Sequence, residues 1–297
     1  MNFKKKALLP AIAMVLVSVI ALTGVSYAWF TMSNEATVNE LALDVKVAEG
    51  MQISVDGASW KSNLTNDDIT SNLTGYQGNV NQIPATQVVP VSSPCTVDAD
   101  GHLVMFNGSI VDGKLVTEAV SDVKGTEGNY YAFDLFFNMT AAKTLKLDAG
   151  SYVSASNGAQ TNYAARVAFI YLGSADTGLA AQALKTSQGT MIWEPAATKH
   201  TASAVAANNA INNTKVDYKG VDAESTDFDM VNGGAAVTTT AIGETAEGAT
   251  NTATTLFSFA KGINKVRVYI WLEGQDVDCL NDISGNKFNT FFKFTQA

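Results

Sequence analysis

Three acidic side chains near the C-terminus are spaced as candidate metal ligands. Glu273, Asp276 and Asp278 follow directly on an apolar run that ends at Leu272. Carboxylate oxygens are ligands that Ca²⁺ prefers, and the end of a strand can present several of them together. The pattern predicts either a calcium site or an acidic loop in solvent, and no other cofactor is indicated.

A second acidic pair, Asp98 and Asp100, resembles the beginning of a calcium loop and is followed by Gly101. The third ligand and the closing glutamate of such a loop are missing. Aspartate side chains also accept hydrogen bonds from the backbone of their own turn. We therefore interpret this segment as an aspartate-capped turn.

The chain has two cysteines, Cys95 and Cys279. In an exported protein such a pair can form a disulfide. The bridge would close a loop of more than 180 residues, and on the chain-entropy model it would stabilise the fold by roughly 5 kcal/mol at most. We predict that the two cysteines lie close enough to form this bridge, and the alternative is two free thiols.

The sequence contains none of the motifs that mark the common hydrolase classes. His102 and His200 lie far apart, and neither belongs to a His-Glu-x-x-His zinc motif. No Gly-x-Ser-x-Gly elbow supplies a nucleophilic serine, and no glycine loop opens a helix to cradle a phosphate. We therefore predict a protein that is not an enzyme.

Alternating apolar and polar residues predict the strands that must position these side chains. The clearest patterns lie at 41–47, 51–55, 130–139, 166–172, 190–194, 265–273 and 288–295. In strand 265–273, alternate residues from Val266 to Leu272 form one apolar face, and Trp271 shares the other face with Arg267 and Tyr269. We expect Trp271 to pack in the core or against that second face rather than in a ligand cleft. The dipeptides Asn107-Gly108 and Asp112-Gly113 predict a three-stranded meander.

Many strands and almost no helix predict an all-β fold, specifically a jelly-roll-like antiparallel β-sandwich. One short helix is predicted at 177–186, and residues 58–95 are expected to form a long loop. Residues 196–255 are rich in Ala, Thr, Asn and Gly and contain few large apolar groups. We interpret them as an insertion or surface excursion, with a short helix at 203–213, and not as a second domain.

The N-terminus has the layout of a secretory signal. Three lysines precede an apolar run from Ala7 to Val25, and Ser26 and Ala28 occupy the −3 and −1 positions of a cleavage site. Cleavage between Ala28 and Trp29 would leave residues 29–297 as a single extracellular domain. The alternative is an uncleaved membrane anchor, because the apolar run is nearly long enough to span a bilayer.

The net charge of the chain indicates which kinds of partner it can bind. Removing residues 1–28 leaves 16 basic against 28 acidic side chains, a net charge of −12. Such a surface repels polyanions, and no basic stripe offsets the repulsion, so nucleic acid is not an expected partner.

The junction Tyr27-Ala28-Trp29-Phe30-Thr31, followed by one alternating strand, resembles the start of the camelysin/TasA family of secreted Gram-positive surface and biofilm-matrix proteins. The segment from Trp271 to Cys279 is similar to a Trp-Leu-Glu-Gly-x-Asp-x-x-Cys motif of secreted relatives of that group. The resemblance implies cleavage by a dedicated signal peptidase and a jelly-roll subunit that polymerises by inserting its N-terminal segment into the next subunit. The two cues cover less than a tenth of the chain.

The candidate donor strand carries a single apolar stripe of Leu41, Leu43, Val45 and Val47, preceded by a polar hinge at 33–39. Strand addition satisfies an exposed sheet edge and fills pockets with alternate side chains. One hypothesis is therefore a structural subunit of the cell surface or matrix whose partner is itself or another matrix component. The alternative is a monomeric surface module that binds carbohydrate or calcium. A secreted protease ranks third, because the zinc-ligand motif is missing.

Overall fold

The computed structural model describes residues 41–48, 50–71, 75–76, 78–84, 88–111, 114–120, 128–155, 161–196, 202, 241–242, 253–274, 276, 278–279 and 288–297. The strands, in chain order, are β1 (Leu41–Val47), β2 (Gln52–Ser54), β3 (Asn63–Leu64), β4 (Phe106–Val111), β5 (Lys114–Ala119), β6 (Tyr131–Met139), β7 (Lys143–Leu147), β8 (Tyr152–Ala155), β9 (Ala165–Ala175), β10 (Gly189–Trp193), β11 (Ala241–Ile242), β12 (Thr254–Phe259), β13 (Gly262–Leu272) and β14 (Phe288–Gln296). The helices are α1 (Asn66–Thr70) and α2 (Gly178–Gln182), with a 3₁₀ turn at Thr161–Ala164.

Two six-stranded sheets make up most of the described structure. The first sheet has the order β12-β7-β14-β1-β3, with β8 also paired to β14. The second sheet has the order β11-β10-β9-β13-β6-β2, and β4 and β5 form a separate hairpin. The prediction of a mostly β, sandwich-like fold with a few short helices is confirmed at this level.

The core between the sheets is aromatic. Phe292 and Phe294 of the first sheet contact Phe169 of the second, with ring centroids 5.4 and 6.0 Å apart. Phe137 meets Phe294 edge-on at 5.2 Å. All four rings are fully buried, and such edge-to-face pairs add to the stabilisation from burial alone.

A second apolar cluster lies on the outer face of the second sheet. It joins Tyr269 and Trp271 of β13 and Ile170 of β9 to residues of the segment 76–105, including Val91 and Met105. We call the described residues of this range, 76, 78–84 and 88–105, the covering segment. Because this segment covers β9 and β13, both faces of these strands are largely buried, as the sequence of β9 predicts.

Strand β1 lies inside the first sheet and runs parallel to β14, pairing from Leu41 with Phe288 to Val47 with Phe294. The expectation of a purely antiparallel sandwich is therefore wrong for this pair, and also for β10 and β11. Parallel neighbours need a long connection rather than a hairpin. Here residues 48–287 connect β1 to β14. Local turn signals do not reveal a pairing over such a distance in sequence.

The predicted three-stranded meander is a two-stranded hairpin. Asn107 and Gly108 lie within β4, where they pair with Glu118 and Thr117 of β5. They do not form a turn, although Asn-Gly is a strong turn signal. The dipeptide Asp112-Gly113 lies outside the described residues, between Val111 and Lys114, which pair with each other.

The loop predicted at 58–95 contains more regular structure than expected. It holds β3 and helix α1, whose first turn is closed by reciprocal bonds between Thr65 and Asp68. Strands β7, β8 and β12 also lie outside the predicted set. They are short and carry polar residues on one face, so their patterns resemble those of loops.

Helix α2 lies within the predicted helical segment and is capped by Thr177, whose hydroxyl accepts a hydrogen bond from the Ala180 backbone. The signal at 1–28, its cleavage site, His200 and the predicted helix at 203–213 lie outside the described residues. Of the insertion at 196–255, the structure describes only Ala196, Ala202, β11 and residues 253–255, which include the start of β12. Within the part of the chain that is described, no helix has the length and apolar character to cross a bilayer.

Candidate functional site

Strand alternation places charged side chains on the outer face of the second sheet, beneath the covering segment. Lys265 and Arg267 share this face of β13 with Trp271, while Asp134 lies opposite Arg267 on β6. Arg166 lies opposite Trp271 on β9. Each of these four charged side chains is at most 1% exposed. A buried charge is tolerated only when it is paired and hydrogen-bonded, so the partners of these groups define the site.

The first charge cluster surrounds Asp134. Arg267 donates from Nε to Oδ1 at 2.9 Å and from Nη2 to Oδ2 at 3.3 Å, and the Lys265 ammonium lies 3.3 Å from Oδ2. The Tyr76 hydroxyl donates to the same oxygen. Burial alone would raise the pKa of Asp134, but the two cations outweigh burial and hold the pKa at about 2. Asp134 is therefore an ionised carboxylate at neutral pH.

The two cations of this cluster also fasten other parts of the chain to the sheet. Arg267 donates from Nη1 to the carbonyl oxygens of Asp100 at 3.2 Å and Gly101 at 3.0 Å in the covering segment. Lys265 donates to the carbonyl oxygens of Gln182, the last residue of helix α2, and of Leu184, just after it, both at 3.0 Å. Burial lowers the pKa of Lys265, and Asp134 offsets only part of this effect.

The second charge cluster is centred on Arg166. Its Nη2 lies 2.8 Å from Oε1 of Glu194 and donates to Oδ2 of Asp276. Its Nη1 donates to the carbonyl oxygen of Ala165 at 2.9 Å. Burial would lower the pKa of Arg166, but the facing carboxylates outweigh it and keep the pKa above its ordinary range. Arg166 therefore remains a fixed positive charge among acidic groups.

Glu273 connects the second charge cluster to the covering segment. It accepts hydrogen bonds from the Trp271 indole at 3.1 Å, from the Ser92 hydroxyl and from the Ser93 backbone at 3.3 Å. At the same end of β13, the Val91 N–H donates to the Leu272 carbonyl and the Val91 carbonyl accepts from the Gly274 N–H. The Trp271–Cys279 motif thus forms a hydrogen-bonded attachment of the covering segment, a use that its sequence alone does not reveal.

The structure brings the three predicted metal ligands into one buried turn. The Asp276 backbone donates to the Glu273 carbonyl, and Asp276 Oδ1 accepts the Asp278 backbone N–H at 2.8 Å. Burial and the nearby Asp278 raise the pKa of Asp276, with Arg166 opposing them. In the described part of the chain, no three acidic, histidine or cysteine side chains are grouped so as to hold a metal. Calcium binding here stays a prediction.

Trp271 is fully buried on β13, between β9 and β6 in the second sheet. The prediction that it packs in the core is confirmed. Asp98 also behaves as expected of a turn residue, since its Oδ1 accepts the backbone N–H groups of Asp100 and His102, both at 2.9 Å. The His102 ring lies 3.7 Å from the Asp98 carboxylate.

The two cysteines are buried thiols. Cys95 belongs to the outer cluster with Trp271, whereas Cys279 belongs to the core between the sheets. Burial raises the pKa of both thiols well above its ordinary value, and the nearby Glu273 carboxylate adds to the effect. The disulfide predicted from the sequence is not formed in this structure and stays a prediction.

We expect both thiols to resist alkylation at neutral pH while the protein is folded, because the thiolate is the reactive form. In denaturant without reductant, two alkylated cysteines per chain by mass spectrometry would correspond to the two thiols of this structure. Alkylation of no cysteine until reductant is added would show that the Cys95–Cys279 disulfide forms after export. Rapid reaction of the folded protein would contradict the buried placement.

Comparisons with protein-family models, with curated proteins and with solved structures find no match for this chain. The chemistry of the site must therefore be argued from its geometry. The charged groups of the first charge cluster pair with one another, and the acids Glu194 and Asp276 pair with Arg166. The cations also donate to backbone carbonyl oxygens. This arrangement attaches the covering segment and fixes one face of the second sheet.

Proposed function

We propose that the protein is a secreted structural subunit of a cell surface or extracellular matrix, and that it assembles through its N-terminal segment. The proposal includes the jelly-roll connectivity and the camelysin/TasA relationship that the sequence resemblance implies. It does not include catalysis. The expected partners are further copies of the chain or other surface components.

The observation that carries the proposal is the position of β1. This strand pairs with β14 in the first sheet. Leu43 and Val45 are 1% and 0% exposed, and Val47 packs against the same core. This position supports the proposal, because β1 completes the sheet by main-chain pairing and alternate side chains, as an added strand would. Delivered from a neighbouring copy, the same kind of pairing would join subunits head to tail.

β1 itself is closely tied to its own subunit. After Val47 the chain turns within a few residues, with the Met51 backbone donating to the Ala48 carbonyl at 3.1 Å, and enters β2 of the second sheet. The segment that reaches a neighbour is therefore the one before Leu41, with the polar stretch 33–39 as its hinge. This keeps the domain intact while the segment is exchanged.

Open sheet edges are available to receive such a segment. In the described residues, β12 pairs only with β7, and β1 has a second partner only where Val45 and Lys46 meet β3. Unpaired backbone groups at an edge are a template for strand addition. An assembled form would use one of these edges.

Removing residues 29–38 from the mature chain is expected to abolish assembly and leave the domain folded, because all described strands begin at or after Leu41. Sedimentation velocity gives the assembly state, and circular dichroism with a thermal melt gives the fold. A deletion of equal length in the insertion, at 221–230, serves as the control and should still assemble. If the deletion of 29–38 assembles as the mature chain does, the segment is not the connector.

N-terminal sequencing of the extracellular protein is expected to begin at Trp29, since Ser26 and Ala28 fit the cleavage site. Cleavage would free the segment, so that processing and assembly are coupled. Recovery of Met1, or of a start within β1, would favour a membrane-anchored monomer and remove the coupling.

A further inference from the structure

The outer face of the first sheet carries a transverse row of side chains formed by three strands. Asp44 of β1 pairs with Phe291 of β14, and Phe291 pairs with Tyr152 of β8. In the adjacent row, Asn289 of β14 pairs with Ser154 of β8. Strand alternation directs these residues away from the core, opposite to Val45 and Phe292. The sheet thus fixes an acid, an amide, a hydroxyl and two aromatic rings side by side.

These residues line a cleft of about 370 Å³. Asn66, at the start of helix α1, closes one side of the cleft, and Asp44, Tyr152, Ser154, Asn289 and Phe291 form much of the rest. The volume falls in the range of roughly 300–1,000 Å³ that is usual for small-ligand sites. The lining comes from three strands and one helix, so the shape of the cleft is set by secondary structure rather than by a loop.

The polar groups of the cleft have unused hydrogen-bonding capacity. Among the residues that the structure describes, the side chains of Asp44, Asn66 and Asn289 and the Tyr152 hydroxyl make no hydrogen bond or ion pair. An aspartate and two asparagines present carboxylate and amide oxygens as acceptors and amide N–H groups as donors. Together they match a ligand with many hydroxyl groups, each of which both donates and accepts.

The aromatic part of the cleft is exposed and held in place. Tyr152 is 38% exposed and is one of only two large apolar side chains exposed in the described structure. Its ring lies 5.7 Å from that of Phe291 at an angle of 34°, and the Lys46 ammonium lies 5.6 Å from the centroid of the Phe291 ring. These contacts hold Phe291 against Tyr152. A ligand that stacks on Tyr152 would therefore lose little affinity to the ordering of side chains.

We propose that this cleft binds a neutral saccharide. The apolar C–H face of a pyranose ring would stack on Tyr152, and its hydroxyl groups would bond to Asp44, Asn66 and Asn289. A purely apolar ligand would leave these polar groups desolvated and unpaired, which is costly. An acidic sugar would meet the Asp44 carboxylate, and the nearby lysines are engaged, Lys46 with Phe291 and Lys293 with Asp148 at 3.2 Å. The proposal is independent of self-assembly.

The test titrates the mature chain with soluble hexasaccharides of β-1,4-glucose, β-1,3-glucose, β-1,4-N-acetylglucosamine and α-1,6-mannose, by isothermal calorimetry in the presence of EDTA. Binding of at least one is expected. Tyr152→Ala should weaken it by about tenfold or more, because the stacking surface is lost. Tyr152→Phe should retain most of the affinity, and Asp44→Ala should weaken binding without a change in melting temperature.

Leu179→Ala, a substitution at the 80% exposed residue of α2 on the other sheet, is the matched control and should bind as the parent does. Failure of all four sugars to bind would overturn the proposal. So would binding that Tyr152→Ala and Asp44→Ala leave unchanged while both variants melt at the parent temperature. Loss of affinity in Tyr152→Phe equal to that in Tyr152→Ala would assign the contact to the hydroxyl and contradict stacking.

Discussion

Trp271→Ala is expected to lower the free energy of unfolding by about 3–5 kcal/mol. The indole is fully buried in the outer cluster, so the substitution leaves a large cavity beneath the covering segment. It also removes the donor to Glu273 at 3.1 Å, and a buried carboxylate that loses a partner is costly. Urea unfolding followed by circular dichroism measures the loss.

Two further variants separate these contributions. Trp271→Phe keeps an aromatic ring but not the N–H group. It should therefore lower the free energy of unfolding by less than Trp271→Ala does. Leu179→Ala, at an exposed site, should change stability by no more than about 0.5 kcal/mol. If Trp271→Ala unfolds at the same urea concentration as the parent, the outer cluster does not hold the covering segment.

Arg267→Met should destabilise the protein by a comparable amount, about 3–5 kcal/mol at neutral pH. Arg267 supplies two of the hydrogen bonds to the buried Asp134 carboxylate and three to the covering segment, at the carbonyl oxygens of Gly78, Asp100 and Gly101. Methionine fills part of the volume but leaves Asp134 with a buried charge that Lys265 and Tyr76 satisfy only in part. Lys185→Met is the matched control: it breaks the exposed Lys185–Asp100 pair, where the loss of stability should be much smaller because solvent screens the pair.

The pH dependence of Arg267→Met distinguishes lost charge pairing from lost packing. In the parent, the pKa of Asp134 is held at about 2, below its ordinary value of 3.8. The ionised Asp134 therefore adds about 2 kcal/mol to the free energy of unfolding. This contribution is fully present above pH 3.8 and is lost as the pH falls towards 2. Without Arg267 this pKa rises, so the folded variant accepts a proton more readily. The stability difference between parent and variant should shrink on acidification, and a constant difference from pH 7 to pH 3 would indicate packing alone.

The long strands were predictable because their patterns are local. β6, β9, β13 and β14 each run for nine or more residues, and a period of two over such a length is typical of a strand. The short strands β7 and β8 lack that length. The parallel pairing of β1 with β14 joins the two ends of the domain, and no turn sequence encodes it.

The sequence indicates some of the residues of the candidate site but not which of them pair. Glu273, Asp276 and Asp278 stand out as oxygen-rich, but the partner of Asp276 is Arg166, which lies 110 residues earlier. In the same way, Asp134 and Arg267 are separated by 133 residues and meet through the pairing of β6 with β13. Charged residues on one face of a strand normally indicate solvent, and only the fold shows that the covering segment encloses them.

Negative-stain electron microscopy of the purified mature chain, beginning at Trp29, tests assembly most directly. The account predicts filaments of repeating subunits that disappear when residues 29–38 are removed and persist when 221–230 are removed. Isolated particles of monomer size at high protein concentration, across a range of salt and pH, would contradict it and leave a monomeric surface module.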